Sequence, residues 1–192
     1  CRALAEASPK PDYLVASGSL PPGVPVDFYA RIGELAGEFG ARYIVDTSGE
    51  ALIHAVRAGA YLLKPNLKEL RTLARQEVEE ESQIEDAARK IIGSGRTETL
   101  LISLGAGGAF LATRDVFQHL RAPTAPIHSK VGAGDSMVAG IVFKLAQGAS
   151  LQNAARYGVA AGAAAVMTPG TELCRRDDTE HLYKRMLSGR YV

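Results

Sequence analysis

Short apolar runs alternate with longer helical patterns along the first two thirds of the chain. Four of these runs predict strands, because each is short and is followed by Gly, Pro or polar turn residues; they cover residues 13–17, 42–46, 61–64 and 100–103. Four other segments have the apolar spacing of amphipathic helices; they cover residues 26–39, 49–59, 67–75 and 84–92. Two more runs, residues 109–113 and 116–120, are compatible with a hairpin.

The last third of the chain is predicted to be helical, over residues 134–147, 151–167 and 178–187. Strands that are apolar on both faces and alternate with helices indicate an α/β fold with a mainly parallel sheet covered on both sides. Ligands of such sheets bind outside the carboxyl ends of the strands. Polar residues follow the strands at this edge: Ser17, Ser19, Asp46, Ser48, Lys64, Asn66 and Ser103.

Composition narrows the class of protein. The chain has 192 residues, 46% hydrophobic and 22% charged, which is ordinary for a globular protein of one domain or slightly more. A net charge of +1 without a dense basic tract argues against a nucleic-acid partner. No apolar run is long enough for a membrane span. Because only two cysteines occur and no secretory signal is present, we expect a cytoplasmic protein in a reducing compartment.

Residues 131–136, with the sequence V-G-A-G-D-S, bring two glycines and one carboxylate to the predicted start of a helix. Backbone N–H groups at a helix start hold anions, and glycine lets a phosphate approach the backbone closely. A carboxylate in the same turn suits phosphoryl transfer, in which Asp135 would take a hydroxyl proton. The alternative is that Asp135 only caps the helix or favours its dipole.

Residues 64–70, with the sequence K-P-N-L-K-E-L, leave a strand and enter a helix. Asn66 and Glu69 stand in a capping-box relation, which is a purely structural interpretation. The functional alternative is that their side chains hold the water molecules of a Mg²⁺ ion that also touches phosphates. The residues of this segment leave both interpretations open.

Two other turns are weaker signals. Residues 103–108, S-L-G-A-G-G, follow a strand but do not match G-x-G-x-x-G, since Phe110 stands where that motif has its last glycine. This loop is either a hairpin turn or a place where a nucleotide lies against bare backbone, and no P-loop motif occurs in the chain. Residues 17–23 either form a rigid turn or direct hydroxyl groups at a polar substrate. The four histidines are interpreted as surface or structural residues.

Together these segments resemble the PfkB, or ribokinase-like, carbohydrate kinases. The resemblance rests on residues 64–70, 103–108 and 131–140, and residues 17–23 and 46–52 are similar to the phosphosugar branch of that family. It implies a three-layer α/β/α ribokinase-like fold and an ATP-dependent kinase that phosphorylates a phosphosugar. The full-length parent is expected to be a homodimer, and the chain to be its single C-terminal nucleotide-binding and catalytic portion.

The resemblance also implies a role for each matching residue. Asp135 would be the general base for the sugar hydroxyl, and Ser19 would lie near the sugar phosphate. The anion hole would be made by the amides of Gly132, Ala133 and Gly134. ATP would contact Lys64, Asn66, Ser103, Leu104, Gly105, Ala106, Gly107 and Gly108. Mg²⁺ would be held through water by Asn66 and Glu69, and a monovalent cation such as K⁺ by Ser129, Val131, Ala165, Thr168, Gly170 and Glu172.

Two departures from the family pattern are visible. Lys130 stands where the family usually has Thr, and its charge either adds to the anion hole or competes with the monovalent cation. The chain also begins with Cys1, which we expect to lie within a helix, and we expect the chain to lack roughly a third of the family's length, namely the N-terminal part with the lid and most sugar contacts. A non-catalytic nucleotide-binding module is therefore a second hypothesis. The missing G-x-G-x-x-G argues against a third, a nicotinamide-dependent oxidoreductase.

Overall fold

A computed structural model describes residues 2–191, which form two compact units. The first unit contains residues 2–102 and 112–117, and the second contains residues 103–111 and 118–191. The expectation that the chain starts within a helix concerns Cys1, which lies outside the described residues; a short helix, α1, spans Arg2–Ala5. No helix within residues 2–191 is both long and apolar enough to span a bilayer.

Six strands form one sheet in sequence order. They are β1 (Tyr13–Ser17), β2 (Arg42–Asp46), β3 (Ala60–Leu63), β4 (Thr97–Ser103), β5 (Ala109–Ala112) and β6 (Phe117–Leu120). The pairs from β1 to β4 are parallel, and the register aligns Ser17 with Asp46, so that the carboxyl ends of β1 and β2 are level. β5 and β6 are neighbours joined by a turn in which the Thr113 N–H donates to the Val116 carbonyl at 2.8 Å. The predicted strands and the hairpin are confirmed.

The first unit has four further helices: α2 (Phe28–Phe39), α3 (Gly49–Ala58), α4 (Leu67–Ala74) and α5 (Glu81–Gly93). All four were predicted; α3 and α4 begin at the predicted residues, whereas the starts of α2 and α5 differ from the prediction. Helix α5 begins at Glu81 rather than Ile84, because a capping box of Glu80 and Gln83 recruits the preceding acidic residues. The apolar residues of β2, β3 and β4 form the core of this unit; Ile44, Leu62 and Leu100 are fully buried.

The second unit contains the predicted C-terminal helices, observed as α6 (Ala133–Ala146), α7 (Leu151–Ala165) and α8 (Arg176–Leu187). Helix α8 is fixed by Tyr157 of α7, whose hydroxyl donates to the Glu180 carboxylate at 3.0 Å. Burial raises the pKa of Tyr157 to about 12, with a further contribution from that hydrogen bond. The phenol therefore stays protonated at neutral pH and keeps its donor.

Helices α6 and α7 pack so closely that glycine is required at the contact. A Cβ placed on Gly158 would lie 2.5 Å from the Ile141 side chain and 2.8 Å from the carbonyl oxygen of Met137. Both distances are shorter than real Cβ contacts, so a larger residue must push the two helices apart. The position of α6, and of the chain at its N-terminal end, depends on this contact.

We expect Gly158→Ala to lower the free energy of unfolding by about 1–3 kcal/mol, because of the overlap with α6. The matched control is Gly37→Ala in α2, where a Cβ would meet nothing within 4 Å. That change should be neutral or stabilise by up to about 1 kcal/mol, since alanine favours helix more than glycine. Urea unfolding followed by circular dichroism measures both, and equal effects of the two substitutions would contradict the packing argument.

Candidate active site

Gly132 shapes the start of helix α6. It is the N-cap residue with φ 77° and ψ 0°, a left-handed conformation that glycine adopts without strain. The first helical hydrogen bond runs from the Ser136 N–H to the Gly132 carbonyl at 2.8 Å. The amides of Gly132, Ala133 and Gly134 precede this donor, and such amides are not used within a helix. The local geometry is thus that of a helix N-terminus suited to an anion.

Asp135 lies in the first turn of α6, three residues after the N-cap, and is exposed. It is therefore not the capping residue, which is Gly132. Its position still favours the helix dipole, and it also places a carboxylate beside the three amides. The neighbouring Lys130 is exposed as well.

The segment before α6 is tied to the segment after α7 by one hydroxyl group. Ser129 Oγ donates to the Gly170 carbonyl at 2.6 Å and accepts from the Val131 N–H at 3.2 Å. Thr168 Oγ1 lies 2.8 Å from the carbonyl oxygens of both Ala165 and Glu172. The second unit thus brings together two short segments that contain all the residues predicted to bind a monovalent cation: Ser129, Val131, Ala165, Thr168, Gly170 and Glu172.

Carbonyl oxygens of this cluster are already hydrogen-bonded, namely those of Ala165, Gly170 and Glu172. A carbonyl oxygen has two lone pairs, so the bonds to Gly170 and Glu172 each leave one for a cation. The Ala165 carbonyl also accepts from the Thr168 N–H at 3.2 Å, which uses its second lone pair. Hard cations prefer oxygen ligands, and the donor set therefore fits a cation such as K⁺.

Residues 103–108, predicted to line the nucleotide, form a tight turn containing a 3-10 segment, Gly105–Gly107. The Leu104 N–H donates to the Gly108 carbonyl at 2.9 Å, which closes the turn between β4 and β5. Gly108 has φ 91° and ψ −125°, and a Cβ there would lie 2.0 Å from the Leu120 carbonyl oxygen. The loop lies directly against the backbone at the end of β6 and just after it. Because of this close approach, only glycine fits this position.

His119 of β6 holds the same loop. Its Nε2 lies 2.9 Å from the Gly107 carbonyl oxygen, and its ring stacks on Phe110 with 4.5 Å between ring centroids. These contacts agree with the interpretation of His119 as a structural residue, but its link to the loop of residues 103–108 was not predicted. The sequence holds only a weak hint, because His119 occupies an ordinary position in an alternating strand.

In the first unit, Lys64 follows β3 and is buried, and its ammonium lies 3.0 Å from the carboxylate of Asp46 at the end of β2. The Lys64 N–H also donates to the Val45 carbonyl at 2.9 Å, which extends the parallel pairing of the two strands. A buried ammonium needs a partner, since burial without one is costly. Asp46 supplies it, a pairing that the sequence did not specify.

Asn66 and Glu69 form a complete capping box at the start of α4. The Glu69 N–H donates to Asn66 Oδ1 at 2.9 Å, and the Asn66 N–H donates to Glu69 Oε2 at 2.8 Å. The structural alternative from the sequence is thus confirmed. It is compatible with the functional one, because Glu69 Oε1 is not used by the box and a carboxylate oxygen suits a Mg²⁺-bound water.

Ser19, predicted to lie near a sugar phosphate, is exposed just after β1. The preceding residue ties this turn to the end of β2: the Gly18 N–H donates to the Asp46 carbonyl at 2.9 Å, and Thr47 Oγ1 donates to the Gly18 carbonyl at 2.8 Å. The turn that presents Ser19 is therefore fixed to the strand end that carries the partner of Lys64. The first unit brings Ser19, Lys64, Asn66 and Glu69 to neighbouring strand ends, and the second unit contains the other predicted site residues.

The parallel sheet, the glycine-rich first turn of α6 and the capping box after β3 are features on which the resemblance to carbohydrate kinases rests. The chain belongs to the pfkB family of carbohydrate kinases, whose family model matches residues 3–178. The predicted ribokinase-like α/β fold class and the expected kinase family are both confirmed by that match and by the structural neighbours.

Individual relatives show which kind of carbohydrate kinase the chain resembles. The chain is 43% identical to ATP-dependent 6-phosphofructokinase isozyme 2 of Mycobacterium tuberculosis, over 90% of this chain and 50% of that protein. It is 32% identical to 1-phosphofructokinase of Bacillus subtilis, over 84% of this chain and 54% of that protein. Phosphofructokinase-2 of Escherichia coli, solved in complex with potassium, superposes with a TM-score of 0.86 and 42% identity, over 91% of this chain and 57% of that chain. This chain spans about half the length of the curated relatives it matches.

Proposed function

We propose that the chain provides the nucleotide-binding and catalytic part of an ATP-dependent 6-phosphofructokinase, acting on fructose 6-phosphate in glycolysis. The observation that carries the proposal is the exposed carboxylate of Asp135 beside the amides of Gly132, Ala133 and Gly134. The similarity to 6-phosphofructokinase isozyme 2 supports the choice of substrate. The whole protein is proposed to be a cytoplasmic homodimer; a tetrameric inhibited form is described for the Escherichia coli enzyme.

In this proposal Asp135 accepts the proton of the sugar hydroxyl as its oxygen attacks the γ-phosphorus of ATP. The bond from that phosphorus to the bridging oxygen breaks, and ADP leaves with the bond's electron pair. The amides at the start of α6 donate to the phosphoryl oxygens, whose charge they stabilise without reorganisation. Residues 103–108 lie along the nucleotide, and Lys64 and Asn66 lie near its phosphates. Ser19 donates to the phosphate of the sugar.

The residues present fit the two ions that such a kinase uses. Glu69 Oε1 and the side chain of Asn66 are oxygen donors of the kind that Mg²⁺-bound water prefers. When bound, Mg²⁺ neutralises charge on the ATP phosphates. A monovalent cation fits the carbonyl cluster tied together by Ser129, and would support the loop that enters α6.

Two alternatives follow from specific observations. The similarity to 1-phosphofructokinase supports fructose 1-phosphate as an alternative acceptor. Tagatose 6-phosphate is the other alternative phosphosugar. The chain covers about half the length of 6-phosphofructokinase isozyme 2. This favours a second alternative, in which the chain alone binds nucleotide without turnover.

An assay of ADP release separates these possibilities. The protein that contains this chain is supplied with MgATP and, in turn, fructose 6-phosphate, fructose 1-phosphate and tagatose 6-phosphate. The highest kcat/KM is expected with fructose 6-phosphate. A preference for another phosphosugar contradicts the proposed substrate, and saturable ATP binding by calorimetry without any turnover supports the non-catalytic alternative.

Glu69→Gln separates the structural role of this residue from its proposed metal role. Glutamine at the third helical position preserves a capping box, so thermal stability should be nearly unchanged. Loss of the carboxylate should raise the Mg²⁺ concentration needed for half-maximal activity by about 10–100-fold. A Mg²⁺ titration of the activity measures the effect, and Glu81→Gln, in the first turn of α5, is the matched control. An unchanged Mg²⁺ requirement would leave Glu69 a purely structural residue.

A further inference from the structure

Lys130 is an exposed cation at the entry to helix α6. It lies two residues before the N-cap Gly132, in the unit that also contains residues 103–108. Its side chain makes no hydrogen bond or ion pair with another residue of the described part of the chain. The sequence left two roles open for its charge, which either adds to the anion hole or competes with the monovalent cation. The surroundings of Lys130 distinguish these roles.

The backbone around Lys130 is held on both sides by hydrogen bonds. Ser129 Oγ accepts from the Val131 N–H at 3.2 Å, and this bond closes a turn that spans Lys130. The His128 N–H donates to the Val166 carbonyl at 2.7 Å, which ties the turn to the end of α7. The backbone of Lys130 therefore has a fixed place before α6, whereas its side chain lies in solvent.

The carbonyl cluster proposed for the monovalent cation does not enclose the Lys130 ammonium. Thr168, which bonds to two carbonyl oxygens of that cluster, is only 2% exposed, and Ala165 is 1% exposed. An ammonium in the place of K⁺ would be buried with these residues and would donate to several carbonyl oxygens. Lys130 is exposed and makes no such bond to the residues that the structure describes. Its charge therefore lies outside the monovalent-cation site.

The amides of the anion hole are within reach of the Lys130 side chain. Two residues of an extended chain span at most about 7 Å, so the Cα atoms of Lys130 and Gly132 are no farther apart than that. Lysine carries its ammonium on a flexible stem of four methylene groups, which is long enough to cover this distance. The ammonium can therefore contact a group that is bound to the amides of Gly132, Ala133 and Gly134.

The group assigned to these amides in the proposed function is the γ-phosphoryl of ATP. Asp135 lies exposed in the same helical turn, and its carboxylate repels a phosphate group. A positive charge at the other end of the turn offsets this repulsion, and Lys130 supplies one. ADP lacks the γ-phosphoryl but is otherwise the same molecule. A cation at this place therefore stabilises bound ATP more than bound ADP.

We propose that Lys130 contacts the γ-phosphoryl group of ATP and thereby selects ATP over ADP. The side chain lies in solvent before the nucleotide binds and turns toward the amides of the anion hole when the phosphate arrives. The inference rests on the proposed function, because it takes that anion hole as the site of the γ-phosphoryl. Lys130 is thus a specificity-determining residue and not a competitor of the monovalent cation.

The test compares ATP and ADP binding to the protein that contains this chain, by calorimetry with Mg²⁺ and K⁺ present and no phosphosugar. Lys130→Gln should raise the dissociation constant of ATP by about 2–5-fold, the effect of losing a solvent-exposed ion pair, and leave that of ADP unchanged. Lys130→Arg should keep the preference for ATP because the charge is kept. The matched control is Lys184→Gln, which removes an exposed lysine of α8 in the same unit and should bind both nucleotides like the unmodified protein.

A K⁺ titration of ATP binding distinguishes the two roles of Lys130. Lys130→Gln should leave the K⁺ concentration for half-maximal binding unchanged, and a lower K⁺ requirement would show competition and overturn the inference. Equal changes in ATP and ADP affinity, or no change in either, overturn it as well. Failure of the proposed function gives a different result: a protein that binds neither nucleotide contradicts both, whereas one that binds ATP without turnover contradicts the kinase activity and leaves the comparison at Lys130 decisive.

Discussion

Asp135→Asn is expected to reduce kcat by about 10²–10⁴-fold, because the variant lacks the carboxylate that we propose as the base for the sugar hydroxyl. Asparagine has nearly the same shape, and the amides of Gly132, Ala133 and Gly134 are untouched. The dissociation constant of ATP should therefore change little. The measurement is a steady-state assay with fructose 6-phosphate on the protein that contains this chain, together with calorimetric ATP binding.

The helix-dipole alternative predicts a different result for the same substitution. A carboxylate that only favours the dipole contributes about 0.3–1 kcal/mol of stability and nothing to turnover. Asp177→Asn is the matched control, since Asp177 also lies exposed in the first turn of a helix, α8. If both variants lose a little stability and keep their turnover, Asp135 is not the base.

Gly108→Ala is expected to have the largest effect on stability. The backbone of Gly108 lies in a region that costs other residues about 1–3 kcal/mol, and the Cβ overlap with the backbone of Leu120 and Ala122 adds about 1–3 kcal/mol more. Because those atoms are backbone, the neighbours have little room to yield. The loop of residues 103–108 should open, and ATP binding should weaken with it. Chemical unfolding and ATP calorimetry measure the two effects.

Gly105→Ala, in the same loop, separates strain from overlap. Gly105 also has a positive φ, 58°, but a Cβ there meets nothing within 4 Å. It should cost only about 1–2 kcal/mol of left-handed strain and leave the loop in place. A Gly108→Ala variant no less stable than Gly105→Ala would show that the close approach to β6 is not maintained in solution.

Local sequence patterns were sufficient to predict most of the strands and helices. Strands such as β2 were readable because their apolar runs end at turn residues, and the start of α4 was readable because Asn66 and Glu69 match a capping box, which the structure contains. The observed end of a helix differs from the predicted one where a second local pattern is present. In α5 the capping box of Glu80 and Gln83 extends the helix toward its N-terminus. Residues close together in sequence carry such information directly.

Contacts between segments that are distant in sequence could not be predicted from local patterns. Lys64 was expected near phosphates, but its partner Asp46 is set by the register of β2 against β3, which no local pattern encodes. The bond from His119 to Gly107 likewise depends on the return of β6 to the loop before β5. The link from Ser129 to Gly170 spans two helices of the chain. The resemblance to a family located the candidate site residues, and the geometry explains how these segments are held.

The capping box at α4 has a consequence for the order of events in the proposed reaction. One oxygen of the Glu69 carboxylate is committed to the Asn66 N–H, so the carboxylate cannot turn both oxygens toward an ion without giving up the capping box. A carboxylate fixed in this way would contact the water molecules of an ion with its remaining oxygen rather than chelate the ion with both. A divalent cation would then arrive already attached to the nucleotide, and the rigid helix end would select ATP molecules that bring their metal with them.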